Sequence, residues 1–267
     1  MSKYTNIPFV KYSATGNDFI LIDNRSLGLT SEDADFFKRI CQRRTSAGAD
    51  GVLLIEESSK HDFQLRYFNA DGSETECGNG ARSAAHFALT HGLAGSKMSF
   101  VFGEAVYEAE VDGSWVKLKM PSPRDLQETL DLVKENGFDE GGFIHIGVPH
   151  FVLFGKMVAE LDLQKWGPEY RQHAAFQPAG ANINFVEVLG ENKLKVRTYE
   201  RGVENETLSC GTGCVASAYL AHLKQKTRYP TEIMTKGGNL KVSKNPHDEH
   251  LYLEGEVKAV YEAKFYQ

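Results

Sequence analysis

One short pattern occurs twice and constrains the chain more than any other feature. Cys77-Gly78-Asn79-Gly80 and Cys210-Gly211-Thr212-Gly213 each open an alanine-rich stretch, and the two cysteines lie 133 positions apart in a chain of 267 residues. Superimposing the motifs also aligns Ala85 with Ala218 and Ala88 with Ala221. A match spaced by half the chain predicts an internal duplication with two lobes of similar element order. Lobes that face each other would bring both motifs to one cleft.

Hydrophobic patterning supports that order. Phe19-Ile20-Leu21-Ile22 reads as a buried strand, followed by a helix over SEDADFFKRICQRR that Ser31 can cap and whose charges suit the helix dipole. GVLLIEE and DFQLRYFNADG are strands, the second ending in an Asp-Gly turn. The first motif then feeds a helix that stops near Gly92. KMSFVF, AVYEAEVDG and SWVKLKM alternate as antiparallel strands. The prolines of PSPRD mark the expected crossing between lobes. Beyond them come a strand around FIHIGVPHFVLFG, a polar helical stretch, strands INFVEVLG and LKVRTYE, and the second motif with its helix. Strands of the LKVS, LYLEG and AVYEAKFYQ type close the chain. The division expected is 1–121 for the first lobe and 122–255 for the second, with 256–267 returning to complete the first.

Composition narrows the function classes. Hydrophobic residues make up 41% and charged residues 25%, as in ordinary globular proteins. A net charge of −6 offers no basic surplus for nucleic-acid phosphates. No apolar run reaches the roughly 20 residues a membrane helix needs, and MSKYTNIPFVKYSATGNDF lacks a secretory core. Cytoplasmic residence is therefore the expectation. Four cysteines, Cys41, Cys77, Cys210 and Cys214, form neither a disulfide framework nor a Cys-x2-Cys metal pair. The HDEH run at 247–250 reads as a solvated loop, and no metal site is expected.

A glycine turn leading into a close-packed helix leaves unpaired backbone N–H groups and a partial positive charge at the helix start. Glycines there let an anion approach, and a carboxylate is the natural guest. The same helix end favours thiolate over thiol, so a lowered pKa is expected for each motif cysteine. Two thiols on opposite faces of one carbon can act as base and acid in turn. That chemistry inverts an α-carbon beside a carboxylate without a cofactor, the carbanion being held by the converging N–H groups. A single cysteine before a glycine turn is ordinarily a small buried hydrophobe, and Cys41 and Cys214 keep that reading. Duplication of the motif favours the chemical one.

At these residues the sequence resembles the diaminopimelate epimerases, over nearly its whole length. ATGNDFILID, RRTSAGADGVLLIE, FNADGSETECGNGAR, GVPHFV, ANINFVEV and TYERGVENETLSCGTG carry the likeness. The resemblance implies an α+β fold of two pseudo-symmetric lobes. Each lobe would be a mostly antiparallel, barrel-like sheet wrapped around a central helix, with the active site in the cleft between them. It implies Cys77 and Cys210 as the acid/base pair, and Gly78, Asn79, Gly211 and Thr212 around the reacting carboxylate. Asn17, Asn69, Asn182, Glu200 and Arg201 would grip the rest of a small amino-acid substrate, with no cofactor and with a homodimer as the assembly. Read by themselves, Asn17 and Asn69 are turn formers and Glu200-Arg201 a solvated pair.

Three positions depart from the family pattern. Gly147-Val148-Pro149-His150 has Val148 where an asparagine is usual, the Asn69–Cys77 segment is one residue short, and Ser83 stands where a cysteine is common. A racemase of the same mechanism acting on another amino acid therefore stays open. So does a non-catalytic thiol protein in which the two cysteines form a reversible disulfide. A cysteine hydrolase would need a histidine beside the thiol; His150, after Pro149, is the candidate and reads as a structural histidine in a turn.

Overall fold

The structure is a computed structural model that describes residues 3–130, 132 and 138–266. The chain forms two units: one runs to Leu118 and resumes at Gly255, and the other spans Lys119–Glu254.

The first unit contains β1 (Ile7–Ala14), β2 (Asn17–Asp23), α1 (Ala34–Cys41), β3 (Gly51–Glu56), β4 (Phe63–Asn69), β5 (Glu74–Thr75), α2 (Gly78–Thr90), β6 (Lys97–Phe102), β7 (Ala105–Asp112) and β8 (Trp115–Lys119). The second contains β9 (Arg124–Gln127), β10 (Phe138–Ile146), β11 (Val148–Gly155), α3 (Leu163–Arg171), β12 (Asn182–Gly190), β13 (Lys193–Glu200), β14 (Asn205–Thr207), α4 (Gly211–Leu223), β15 (Thr231–Thr235) and β16 (Gly238–Lys244). A final long strand, β17 (Leu251–Phe265), begins in the second unit and ends in the first.

In the first unit the pairings β1–β2–β3–β4–β6–β7–β8–β17–β1 close a circuit, so the sheet is a barrel. Most neighbours are antiparallel; β2–β3 and β4–β6 are parallel. The second unit repeats the path: β10–β11 antiparallel, β11–β12 parallel, β12–β13 antiparallel, β13–β15 parallel and β15–β16 antiparallel. Met120 N–H donates to the Leu251 carbonyl at 2.9 Å, joining the start of this unit to its last strand. Five successive pairings of the first unit thus recur in the second in the same order and orientation.

Each sheet packs around one helix. α2 packs against β1, β2, β3, β4 and β7, and α4 against β10, β11, β12, β13, β15 and β16. Small residues make this possible: Ala81, Ala84, Ala85 and Ala88 in α2 and Ala216, Ala218 and Ala221 in α4 have no exposure. A helix enclosed on every side must be apolar or internally satisfied all round. Strands such as GVLLIE are buried on both faces, which explains their continuous hydrophobic runs. Their outward side chains, Val52 and Leu54, join Phe36, Phe37 and Ile40 under α1. In the second unit Leu163 and Tyr170 of α3 likewise meet Ile183, Phe185 and Tyr199.

Several local expectations are corrected. FIHIGVPHFVLFG is two strands, because Gly147 at φ 71° reverses the chain between Ile146 and Val148. LYLEG and AVYEAKFYQ are one continuous strand, since Gly255 stays extended within β17. Thr30, rather than Ser31, caps the first helical turn, accepting from Glu32 N–H while Asp33 accepts from Thr30 N–H. Among the described residues, no helix is long and apolar enough to cross a membrane.

Candidate active site

Cys77 and Cys210 occupy equivalent places, each the extended residue immediately before a buried helix (φ −147°, ψ 121° and φ −117°, ψ 109°). Their carbonyls accept the first helical bonds, from Ala81 N–H at 2.8 Å and Cys214 N–H at 2.9 Å. The N–H groups of the next residues have no intrahelical acceptor to use. Gly78 keeps open space where a side chain would stand. Gly213 has no such room: a Cβ there would run into the Asn184 amide oxygen and lie 3.3 Å from Cys210 Sγ.

In the first unit Asn17 and Asn79 are in direct contact, Asn79 Nδ2 donating to Asn17 Oδ1 at 2.8 Å. Asn79 is 3% exposed and accepts from Arg82 Nη2 at 2.7 Å, so its side chain is spent within the unit. Asn17 in turn donates to Asp50 at 2.9 Å. Asn69 sits at the end of β4, where its amide donates to Ser73 Oγ at 3.0 Å inside the following turn. Tyr67 lies beside Cys77; burial, reinforced by the negative charge of the Cys77 and Asp50 side chains, pushes its phenol well above the usual range.

In the second unit the groups gather more closely. Cys210 Sγ lies near the Gly213 backbone N–H and 3.6 Å from Thr212 Oγ1. The Cys210 thiol is also a hydrogen-bond partner of Glu200, whose other carboxyl contact is Thr207 Oγ1 at 2.5 Å. Asn182 accepts from Arg201 N–H at 2.8 Å, and the Arg201 guanidinium donates to the Ala179 carbonyl at 3.0 Å. Glu200 and Arg201 are half-buried, not a solvated pair.

The expected lowering of the thiol pKa is corrected at Cys210. Burial raises it well above the ordinary thiol value, and the neighbouring Glu200 carboxyl adds to the rise. Thr212 and the Gly213 N–H pull the other way and are outweighed. Desolvation of a thiolate in a closed pocket costs more than one helix end returns. The Glu200 carboxyl is itself raised by burial, with Thr207 and Cys210 pulling it down.

His150 lies in β11, not in a turn, fully buried with its pKa lowered to about 3 by burial. Its Nδ1 is 3.2 Å from Asn184 Nδ2, and Asn184 Oδ1 accepts from Thr198 Oγ1 at 3.0 Å. No hydrogen-bond partner is found for His150 Nε2 among the described residues. Arg82 and Asp50 also escaped the sequence reading. Arg82 had one visible signal, a lone charge on a helix of small apolar residues.

Two stretches, 9–125 and 142–260, match the family model described as diaminopimelate epimerase. The chain belongs to the diaminopimelate epimerase family. Diaminopimelate epimerase of Aquifex aeolicus is 39% identical, with 96% of each chain covered. That of Methanocella arvoryzae is 40% identical, with 97% of each covered. Among solved structures, a phenazine biosynthesis protein of the PhzF family from Bacillus anthracis superimposes with TM-score 0.75 over 98% of this chain and all of that one, at 16% identity. A probable proline racemase from Agrobacterium radiobacter does so with TM-score 0.65 over 97% and 92%, at 11% identity. At such identities these two show the shared fold. The diaminopimelate epimerase family assignment rests on the sequence match, and membership makes the chain an isomerase.

Proposed function

We propose that the chain interconverts LL- and meso-2,6-diaminopimelate, serving lysine and peptidoglycan precursor synthesis, by a two-base mechanism. The observation that carries this reading is the doubled geometry. Two cysteines stand at the N-caps of equivalent helices whose first N–H groups have no intrahelical acceptor, which suits an anion beside each thiol. The two-base mechanism requires Cys77 and Cys210 to reach the substrate α-carbon from opposite faces. One, as thiolate, removes the α-proton; the other, as thiol, delivers a proton to the opposite face. The developing negative charge moves onto the α-carboxylate, held by the N–H groups of Gly78, Asn79, Gly211 and Thr212.

Glu200 gives the second thiol a proton partner, and the raised pKa of both groups suits a neutral thiol waiting to donate. Asn17, Asn69 and Asn182 hold the remaining polar groups, Glu200 accepts from an ammonium, and Arg201 pairs with the distal carboxylate. The scheme uses side chains and backbone alone. A homodimer in the cytoplasm is the proposed working form. One observation favours a second reading: Val148 occupies the position of Asn17 in the duplicated path, which leaves that position of the second unit apolar. A racemase of the same mechanism with another amino acid would follow.

Incubating the reduced protein with LL-diaminopimelate in deuterated water tests the first reading. Meso product carrying α-deuterium is expected. Folded, reduced protein that neither exchanges nor inverts diaminopimelate, yet exchanges the α-proton of a smaller amino acid, would establish the second reading instead.

A further inference from the structure

The first unit contains a hydrogen-bonded chain whose polarity is set at both ends. Arg82, fully buried, donates from Nη2 to Asn79 Oδ1 at 2.7 Å and to Thr15 Oγ1 at 2.9 Å. Asn79 Nδ2 donates to Asn17 Oδ1 at 2.8 Å, and Asn17 Nδ2 donates to Asp50 Oδ2 at 2.9 Å. Asp50 Oδ2 also accepts from Asp18 N–H at 3.1 Å, and its other oxygen from Arg43 at 2.8 Å. A guanidinium can only donate and a carboxylate, when ionised, can only accept. Between them neither amide can turn over without setting oxygen against oxygen or N–H against N–H.

We infer that Arg82 and Asp50 are positioning residues for substrate binding, acting through Asn79 and Asn17. They fix Asn17 so that its second N–H, not its carbonyl, faces a carboxylate held at the start of α2. Asn79 is almost fully enclosed, so its side chain is a link in this chain and its backbone N–H is what it offers a ligand. Asn17 is half-buried and is the end of the chain that a ligand can reach. A carboxylate needs donors, and an amide free to flip would present an acceptor part of the time. The inference rests on the proposed activity for its substrate and on the hydrogen bonds for its mechanism.

A double-mutant cycle separates positioning from general support. Asp50→Asn can donate as well as accept, so it releases the polarity of the chain. It is expected to raise KM for diaminopimelate about tenfold, with kcat within about twofold of the parent. In an Asn17→Ala background the same change is expected to alter kcat/KM by less than about twofold, because the group it acts through is gone. Equal effects in both backgrounds would overturn the inference. Where Asp50→Asn lowers the folded fraction, Arg82→Gln enters the same cycle.

A second measurement needs no turnover. The side-chain amide protons of Asn17 and Asn79, followed by 15N NMR, are expected to resist solvent exchange and to lose that protection in folded Asp50→Asn. Unprotected amides in the parent protein would overturn the chain of bonds itself. Protected amides in a protein that does not turn over diaminopimelate would uphold the bonding and overturn only the choice of substrate.

Discussion

Beneath the start of α2, Phe19 and Tyr67 meet edge to face with ring centroids 5.6 Å apart, and Leu53 lies between their strands. At the matching register of the second unit stand His150, Thr198 and Asn184, joined by hydrogen bonds. Toward the helix start the pattern reverses. The first unit has Asn17, Asp50 and Arg82 where the second has Val148, Ala181 and Val215. The two units share a chain path but place their polar groups at different depths. Duplication preserved a cysteine at the start of a buried helix, where the first N–H groups have no intrahelical acceptor. It left free which layer carries the hydrogen-bonded polar groups.

The largest expected effect lies in what the units share. Cys77→Ser and Cys210→Ser should each lower the rate of LL-to-meso conversion by at least about 100-fold, since a serine hydroxyl is a poor base at neutral pH. One cysteine variant that kept near-normal two-way epimerisation would break the equivalence of the units.

Equivalent glycines should then separate them. Gly213→Ala drives a methyl group against the Asn184 amide and Cys210 Sγ, and should cost about 1–3 kcal/mol in urea unfolding. At the matching Gly80 the nearest atom is the flexible end of Leu53 at 3.0 Å, so Gly80→Ala should cost under about 1 kcal/mol. Equal losses would show that the difference in the layer beneath has no energetic consequence.

The pH dependence of stability should carry opposite slopes from two groups in the second unit. His150 is held at about 3, below its unfolded value of about 6.5. The unfolded chain therefore binds more protons between these values, and this contribution, complete above about pH 6.5, is lost as pH falls towards 3. The slope is at most about 1.4 kcal/mol per pH unit, and His150→Phe, which copies the first unit, should remove it. Glu200 is raised instead, so its contribution is complete below about pH 4.5 and lost as pH rises through the folded value. Glu200→Gln should flatten that limb. Urea titrations across pH 3–8 read both; an unchanged acid limb in the histidine variant would refute the burial argument.

The smallest effect is expected at the matching pair Asn17 and Val148. Val148→Asn should shift KM for diaminopimelate by less than about tenfold and stability by under about 0.5 kcal/mol. A larger gain would mark this position as the one that sets substrate choice.

Much of the site was legible because the cysteine motif is local. A turn, its glycines and a run of alanines are fixed by neighbours in sequence. The repeat of the strands before the motif was not legible at the spacing of the cysteines, because matching positions of β2–β4 and β11–β13 differ by 131 and the cysteines by 133. The loop before the second motif is two residues longer, and a sequence alignment at one constant offset slides the strands out of step. A two-residue slip keeps side chains on the same face of a strand, so hydrophobicity alone does not reveal it.

The sequence by itself determined the duplication, the paired cysteines and the buried helices behind them, since each follows from local pattern and spacing. Only the tertiary structure decided how each thiol is surrounded. Cys210 is enclosed with Glu200, and burial raises its thiol pKa against the pull of its helix end. Asn17 and Asn79 are locked in a chain that runs from Arg82 to Asp50. Hydrogen-bond polarity depends on residues such as Asn17, Asp50 and Asn79, far apart in sequence, which folding alone brings within hydrogen-bond reach.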